Sequence, residues 1–317
     1  MVYNVVYISD DNYVVPTKAS INSIKKNCAE QEFVIHIIAV EVSAEHQVEF
    51  ESLATDNLRI DIINVQNEFR DLGLGHHYIS KADLFKFKLP VLFKNLDRIL
   101  YVDGDMIMSS EFTEIYTYDI SNVYGGVCLD VFSTKEGKWN EYVGHEHYFN
   151  GGLLYLNLKK MREDNISEKL IEYKKNDKCN VFMDQNCLNA IMGDNAVWLP
   201  PKFNLGPYEI KKYNANPKKY LSYFANFYGI SEEEMKNTFE KPAILHLAGK
   251  KKVWKNVFAD NFDIWIQYID ERDIPKCTIS YLQSLREENA QLRKDLLKLK
   301  SHTLYGLLAK FYHLIKR

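Results

Sequence analysis

Two aspartates separated by one glycine stand at the end of an apolar run, Arg98-Ile-Leu-Tyr-Val-Asp103-Gly104-Asp105. Alternate side chains on an extended segment share a face, so the two carboxylates can converge on one cation. Gly104 lets main chain approach a ligand closely. Carboxylate oxygens with open positions beside them suit a divalent ion such as Mg2+ or Mn2+ that also holds phosphate. An ordinary Asp-Gly turn after a strand is the competing reading.

Other residues able to do chemistry also fall at element ends. His246 closes the run Ala243-Ile-Leu-His246, which places an imidazole at the same sheet edge as the carboxylates. Gly249 and Lys252 follow it, and their N–H groups and ammonium can wrap a diphosphate. After the first apolar run come Ser9, Asp10, Asn12 and Tyr13. An Asp or Asn there can read the edge of a base and Tyr13 can stack on it; a capped turn opening a helix is the alternative. Asn150-Gly151-Gly152 lets main chain pass a ligand before a strand resumes, or makes a plain turn. Met183-Asp184-Gln185 opens a helix, where Asp184 has the chemistry of an N-cap. His145 and His147, like the His76–His77 pair, lack a third ligand at suitable spacing and make poor zinc sites. Joint occurrence, rather than any one segment, points to a single site.

These residues need a scaffold. Apolar runs at 2–8, 33–40, 60–65, 99–102, 124–129, 152–158 and 243–247 read as strands. Helical patterns fall at 16–27, 44–53, 82–96 and near 164–175. Strands alternating with helices predict an α/β fold with a largely parallel sheet and ligands at the strand C-termini. Residues 205–235 break the pattern with Tyr208, Lys211, Lys212, Tyr213, Tyr220, Tyr223, Phe227 and Tyr228. They have the groups to stack on a sugar or meet a phosphate, or to pack as a helical lid. A chain of 317 residues with 46% apolar content can bury a substantial core. Its net charge of -3 gives no reason to expect nucleic acid as a partner. Five cysteines without a C-x-x-C pair point to a reducing compartment. With no signal-peptide pattern at the N-terminus and no apolar run near the roughly 18 residues of a membrane span, a cytoplasmic protein is expected.

The tail reads differently. Leu282, Leu285, Asn289, Leu292, Leu296 and Leu299 follow a 3,4,3,4,3 spacing, the seam of a short parallel coiled coil in which Asn289 selects register. With Leu282 at position a, Glu288 faces Arg293 of the partner subunit and Asp295 faces Lys300 of the partner subunit. A homodimer is therefore expected, with a helix folded back on the body as the alternative. In 301–317, Leu304, Leu307, Leu308, Phe311, Leu314 and Ile315 recur at helical spacing beside Lys310, Lys316 and Arg317, with no acidic residue. Such a basic amphipathic helix suits an anionic membrane surface at the inner face of the cell membrane, or docking on the protein itself.

In chain order, Ser9-Asp-Asp-Asn-Tyr13, Tyr101-Val-Asp-Gly-Asp105, Phe149-Asn-Gly-Gly152, Asp184-Gln185 and His246-Leu-Ala-Gly249-Lys-Lys-Lys252-Val-Trp254 resemble the motifs of retaining glycosyltransferase family 8. That family includes bacterial lipopolysaccharide galactosyl- and glucosyltransferases and glycogenin. The resemblance implies a GT-A fold, a nucleotide-diphospho-sugar transferase architecture with a mixed, mostly parallel sheet between helices. It implies a catalytic domain over 1–255, leaving 256–277 as a connector, 278–300 as a coiled-coil helix and 301–317 as the basic helix. It implies Mn2+ (or Mg2+) on Asp103, Asp105 and His246, the uridine of a UDP-sugar on Ile8, Asp10, Asn12 and Tyr13, and the donor sugar around Asn150, Gly151, Asp184 and Gln185. Gly249 and Lys252 fall on the diphosphate. The expected activity is transfer of galactose or glucose from UDP-hexose to a glycan, glycolipid or glycoprotein acceptor in cell-surface polysaccharide or glycoconjugate synthesis.

One position departs. The family usually has arginine on the helix before the D-x-D strand, and here Lys86 stands there, keeping the charge but losing the bidentate fork. For catalysis, Asp184 would bind sugar hydroxyls, Gln185 would lie near the anomeric carbon and Lys252 would offset developing charge. An amide is a weak nucleophile, which favours same-face attack over a covalent intermediate on Asp184. A binding protein that keeps the fold without catalysing is one alternative. A nucleotidyltransferase is another, but it would need a Gly-rich basic loop after the first strand, and residues 9–16 offer none.

Overall fold

The computed structural model describes residues 1–69, 81–136, 142–176, 183–249 and 251–315. Its first strand, β1 (Val2–Ser9), is apolar on both sides because both sides are covered. Val5 and Tyr7 enter one core cluster, Val6 and Ile8 the other. Near-continuous apolar runs of this kind belong to strands sandwiched between helices. α1 (Val14–Asn27), β2 (Glu32–Val40), α2 (Ala44–Glu51) and β3 (Leu58–Val65) follow as parallel crossover units.

A single-turn helix, α3 (Leu89–Leu92), precedes β4 (Arg98–Val102). β4 pairs with the free side of β1, so the strand order changes direction between them. Such a switch point leaves a crevice beyond the strand C-termini. Next come β5 (Met106–Met108), β6 (Gly125–Leu129), α4 (Val131–Glu136), β7 (Phe149–Asn157), α5 (Leu158–Glu163), α6 (Ile166–Asn176), α7 (Met183–Met192) and β8 (Ala196–Trp198). The seven-stranded sheet has the order β3-β2-β1-β4-β7-β6-β8. Only β7 runs antiparallel to its neighbours, so the sheet is mixed and mostly parallel.

Two local readings need correction. The helix expected over 82–96 is a 3-10 segment, Lys81–Lys88, leading into α3. Pro90 supplies no N–H, which suits the first turn of α3 but not the interior of a helix running on from 82. Gly151 and Gly152 do not interrupt a strand before it resumes; they lie inside β7. The helix expected near 164–175 is α6, which Asn165, with φ 52°, parts from the preceding α5.

Residues 205–235 are helical. α8 (Pro207–Ala215) and α9 (Pro217–Tyr228) each open with proline, whose missing N–H costs nothing in a first turn. α10 (Glu232–Glu240) opens with a reciprocal capping box between Ser231 and Glu234. β9 (Ile244–His246) then pairs antiparallel with β5 in a separate two-stranded sheet. A third core cluster joins these helices to Trp254, Trp265 and Cys277.

The segment beyond 256 packs on the body rather than spanning a gap. It contains α11 (Phe262–Trp265), whose Trp265 is fully buried, and enters α12 (Ile274–Ile315), one helix of 42 residues. Asn22 and Asn27 of α1 donate to the carbonyl and hydroxyl oxygens of Tyr268 at 3.1 and 2.9 Å. The buried ammonium of Lys18 lies 2.6 Å from Glu49 and 2.8 Å from Asp273, and Lys276 reaches the same two acids. Among the described residues no helix is long and apolar enough to cross a membrane.

Two stability predictions follow from buried charge. Asp273→Ala strands Lys18 with only the partly exposed Glu49, and should cost about 3 kcal/mol. The urea midpoint should fall with little change in slope, whereas an unchanged midpoint would show that the α1–α12 clamp contributes nothing. Glu209, buried in the first turn of α8, accepts the Tyr228 hydroxyl at 3.1 Å. Burial raises its carboxyl to about 7, and Asp130 adds to the rise. The folded protein therefore keeps a proton that the unfolded chain releases near about 4.3. Its contribution is full below that value and lost as pH rises through about 7. Relative to Glu209→Gln, the wild type should lose about 2 kcal/mol between pH 5 and 8 in chemical denaturation.

Candidate active site

Register brings the polar residues together. Val6 of β1 lies opposite Tyr101 of β4 in a parallel pair, so Ser9–Asp10 and Asp103–Asp105 leave the sheet at the same edge. β7 runs the other way, with Leu153 opposite Val102, and the Asp103 amide donates to the Gly152 carbonyl at 2.8 Å. The start of β7, Asn150-Gly151-Gly152, is thereby laid beside Asp103. In the small sheet His246 pairs with Met106, and the Leu247 amide donates to the Asp105 carbonyl at 2.8 Å. As a result Asp103, Asp105 and His246 offer ligand atoms that all lie within 4.8 Å of one another.

Each carboxylate has one oxygen engaged and the other near His246 Nε2. The Tyr101 hydroxyl donates to Asp103 Oδ1 at 2.6 Å and Lys86 Nζ lies 3.2 Å from it. Asp103 Oδ2 is 4.0 Å from His246 Nε2. Lys252 donates to Asp105 Oδ2 at 2.7 Å, and Asp105 Oδ1 is 3.4 Å from the same imidazole nitrogen. His246 Nδ1 and Asn204 Oδ1 are 3.0 Å apart. Asn204 Nδ2 donates to Asn150 Oδ1 at 3.0 Å, and that oxygen also accepts the Gly152 amide at 2.9 Å. This network assigns the imidazole proton to Nδ1 and leaves the Nε2 lone pair for a ligand, as in metal-bound histidines. Two carboxylates and an imidazole fit Mn2+ or Mg2+ in donor chemistry.

Two glycines make the approach possible. A Cβ on Gly152 would lie 2.7 Å from His246 Cε1 and 2.8 Å from Asp103 Oδ2. On Gly104 it would lie 2.4 Å from Thr17 Oγ1, so the close neighbour that Gly104 admits is α1, not only a ligand.

Next to the cluster, Lys86 is buried and donates to Asp184 Oδ2 at 2.6 Å. Asp184 is the second residue of α7, and its carboxylate goes to Lys86 rather than capping the helix. Both ends of the Gln185 amide are committed: Oε1 accepts the Gly151 amide at 2.8 Å and Nε2 donates to Asp130 Oδ2 at 3.1 Å. Burial opposes charge on Lys86, but Asp103, Asp184 and Asp83 outweigh it and raise its pKa above the ordinary lysine value. Burial raises Asp105 too, but Lys252 and His246 outweigh it and hold the carboxyl well below the usual range. Asp83, less favoured, is pushed well above that range by burial and by Asp184, against the pull of Lys86.

At the other side, Ile8 and Ser9 are buried, and Ile8 has its side chain in the core, leaving its main chain for a ligand. Asp10 Oδ1 accepts the Asn12 amide at 2.9 Å. Tyr13 packs edge-on against Trp254 with centroids 5.2 Å apart, and Lys252 Nζ lies 5.9 Å from the Tyr13 ring centre. The first and last motifs therefore meet here. Gly249 has φ +132°, a conformation that L side chains rarely adopt. His145 is tied to Asp194 at 3.4 Å and His147 packs on Trp198; His76 and His77 lie outside the described residues.

Several residues of the site were missed in the sequence. Asp130, which follows β6 and orients Gln185, carries the same strand-end signal as Asp103 and could have been found. Asn189, which brackets Phe149 by donating to its carbonyl and accepting its amide at 2.9 and 2.8 Å, has no such signal. Asn204 and Tyr101 are likewise visible only through their partners.

The comparisons agree with this geometry. The profile of Glycosyl transferase family 8 matches residues 4–257. A putative glycosyltransferase of Haemophilus influenzae is 29% identical over 67% of this chain and 66% of its own length, just under two thirds of that relative. A lipopolysaccharide 1,2-glucosyltransferase of Escherichia coli is 26% identical over 80% of this chain and 73% of its own. Among solved structures, the galactosyltransferase LgtC in complex with donor and acceptor sugar analogues superposes with a TM-score of 0.72. It is 22% identical and covers 86% of this chain and 99% of its own, a likeness that shows the GT-A fold. With a profile match running from the first strand to just past the His246 loop, the chain belongs to glycosyl transferase family 8.

Proposed function

We propose that the protein moves a hexose, galactose or glucose, from a UDP-sugar to a glycan, glycolipid or glycoprotein acceptor with retention of configuration, in cell-surface polysaccharide or glycoconjugate synthesis. The observation that carries this reading is the Asp103–Asp105–His246 cluster, with one oxygen of each carboxylate facing an oriented imidazole. These three residues would hold Mn2+ or Mg2+. When bound, such an ion neutralises a leaving diphosphate as a Lewis acid.

The remaining residues have separate tasks. Asp10, Asn12 and Tyr13, with the main chain of Ile8 and Ser9, form the uridine end, and Gly249 and Lys252 the diphosphate. Asn150, Gly151, Asp184 and Gln185 surround the donor sugar. Lys86 links the sugar side to the metal side by binding Asp184 and Asp103 together. Its salt bridge makes Asp184 a poorer nucleophile, and Gln185 has both amide ends in hydrogen bonds. Both facts favour same-face attack: the acceptor oxygen bonds to the anomeric carbon as the bond to the diphosphate breaks, and the acceptor proton passes to the departing phosphate oxygen.

For the tail we propose a parallel homodimer. α12 meets the body through Cys277, Ser284 and half-buried Tyr281, whereas Leu282, Leu285 and Leu292 are 49%, 38% and 54% exposed. The leucine stripe is thus separate from the stripe that docks, which favours a second copy over folding back. Residues 301–315 continue the helix, and a basic amphipathic end would place the enzyme at an anionic membrane surface.

Asp105→Ala should lower Mn2+-stimulated UDP release by about a thousandfold while leaving the circular-dichroism spectrum unchanged. Near-normal turnover of wild type in EDTA would refute the metal mechanism, and trapping a glycosylated Asp184 would refute same-face attack. In sedimentation at micromolar concentration the full chain should run as a dimer, and replacing Leu282, Leu285 and Leu292 by Ser should give monomers. A monomeric wild type would end the coiled-coil reading. Deletion of 301–317 should reduce flotation with anionic vesicles, and equal recovery of both proteins in the soluble layer would end the membrane reading.

A further inference from the structure

A cavity of about 310 Å³ opens beside the loop that follows His246, lined by Ala248, Gly249, Lys251, Lys211, Phe258 and Asp260 among others. We propose that it is a subsite for a phosphate group carried by the acceptor saccharide, an inference that rests on the transferase reading above. Its position is the first argument. Ala248 and Gly249 lie between His246 and Lys252, both of which engage Asp105. The cavity therefore adjoins the loop on which the donor diphosphate would be held and shares Gly249 with it, and filling the donor position with UDP tells the two groups apart.

Charge is the second argument. Two lysines adjacent in sequence to the lining pair are committed: Lys252 to Asp105, and Lys212 over the rings of Tyr208 and Tyr220. Lys211 and Lys251 are exposed and form no ion pair among the described residues. They come from different elements, α8 and the His246 loop, and the fold turns both to one cavity. Two ammonium groups unspent on protein carboxylates suit a phosphate, which lysine binds as a point charge without demanding a fixed fork geometry. Asp260 is the one carboxylate in the lining. It leaves the described side chains with a net positive charge and can accept hydrogen bonds from sugar hydroxyls.

The third argument is the wall. Phe258 is 46% exposed at this cavity. Covering its ring with the C–H face of a sugar removes apolar surface from water. A cation pair beside an exposed aromatic ring fits a sugar phosphate better than either a neutral sugar or a free anion.

The test uses the full chain with UDP and Mn2+ at saturation, so that the donor diphosphate position is filled. Glucose 6-phosphate, glucose and glucuronate are then titrated in by calorimetry at low and high salt. Glucose 6-phosphate should bind at least about tenfold more tightly than glucose or glucuronate, with affinity falling as salt rises. Lys211→Gln and Lys251→Gln should each weaken it about fivefold, and UDP affinity should stay unchanged in both variants. Glucose 6-phosphate binding no better than glucose, or indifferent to both substitutions while UDP still binds, would overturn the subsite alone. Glucuronate binding as tightly as glucose 6-phosphate would overturn the assignment to phosphate. Failure of wild type to bind UDP with Mn2+ would overturn the transferase reading and the subsite with it.

Discussion

The site depends on offsetting the mutual repulsion of carboxylates gathered in one crevice. Asp103, Asp105 and Asp184 converge there, with Asp83 behind them. Lys86 and Lys252 supply the opposite charge. Lys86 spans Asp103 and Asp184, and Lys252 binds Asp105. Each ammonium takes one oxygen of its metal-side aspartate and leaves the other near His246. Burying such pairs is itself expensive, and the cost is offset only because geometry and extra hydrogen bonds are supplied at once. Tyr101 and Asn204 supply them. The strain falls on Asp83, whose raised pKa marks it as the carboxyl this arrangement serves least well.

Charge pairing of this kind requires backbone placement within a few tenths of an ångström, and the sheet provides it. Parallel β1 and β4 end together, which is enough to open a crevice at the strand ends. Antiparallel β7 adds what a purely parallel sheet would lack, because its beginning rather than its end lies at the crevice. Asn150, Gly151 and Gly152 therefore arrive beside Asp103 with two amide groups bonded to Asn150 and Gln185 side chains. The small β5–β9 sheet brings in His246 from more than a hundred residues away. Gly152 is where these three pieces meet, and no larger residue fits.

The C-terminal region is tied to the same frame. α1 faces the sheet with its apolar side and binds the chain beyond 256 with its polar side, through Lys18, Asn22 and Asn27. Thr17, one residue before Lys18, is the neighbour that makes a glycine necessary at position 104. One helix thus sets the spacing of the aspartate turn and anchors the start of α12. Beyond that anchor the helix presents Leu282, Leu285 and Leu292 outward, so the start of the tail and the site share a single support.

By itself the sequence determined the strand and helix order of the first half, the GT-A fold through its motifs, and the residue types available for a metal and a diphosphate. Those features are local: period-two and helical spacing, and tripeptides such as Asp103-Gly104-Asp105, are written in neighbouring residues. The break at Pro90 was also written there but was outweighed by apolar spacing over 82–96. Tertiary structure alone decided that Asn204 orients His246, that Asp130 holds Gln185, that Lys86 bridges two aspartates, and that 256–277 packs into the body. Each of these joins residues separated by tens to hundreds of positions, and only register and packing select one partner from many of equal chemistry. The same reason explains why Lys211, read in the chain as one of many cations able to meet a phosphate, is brought to the same cavity as Lys251 only when α8 and the His246 loop are folded side by side.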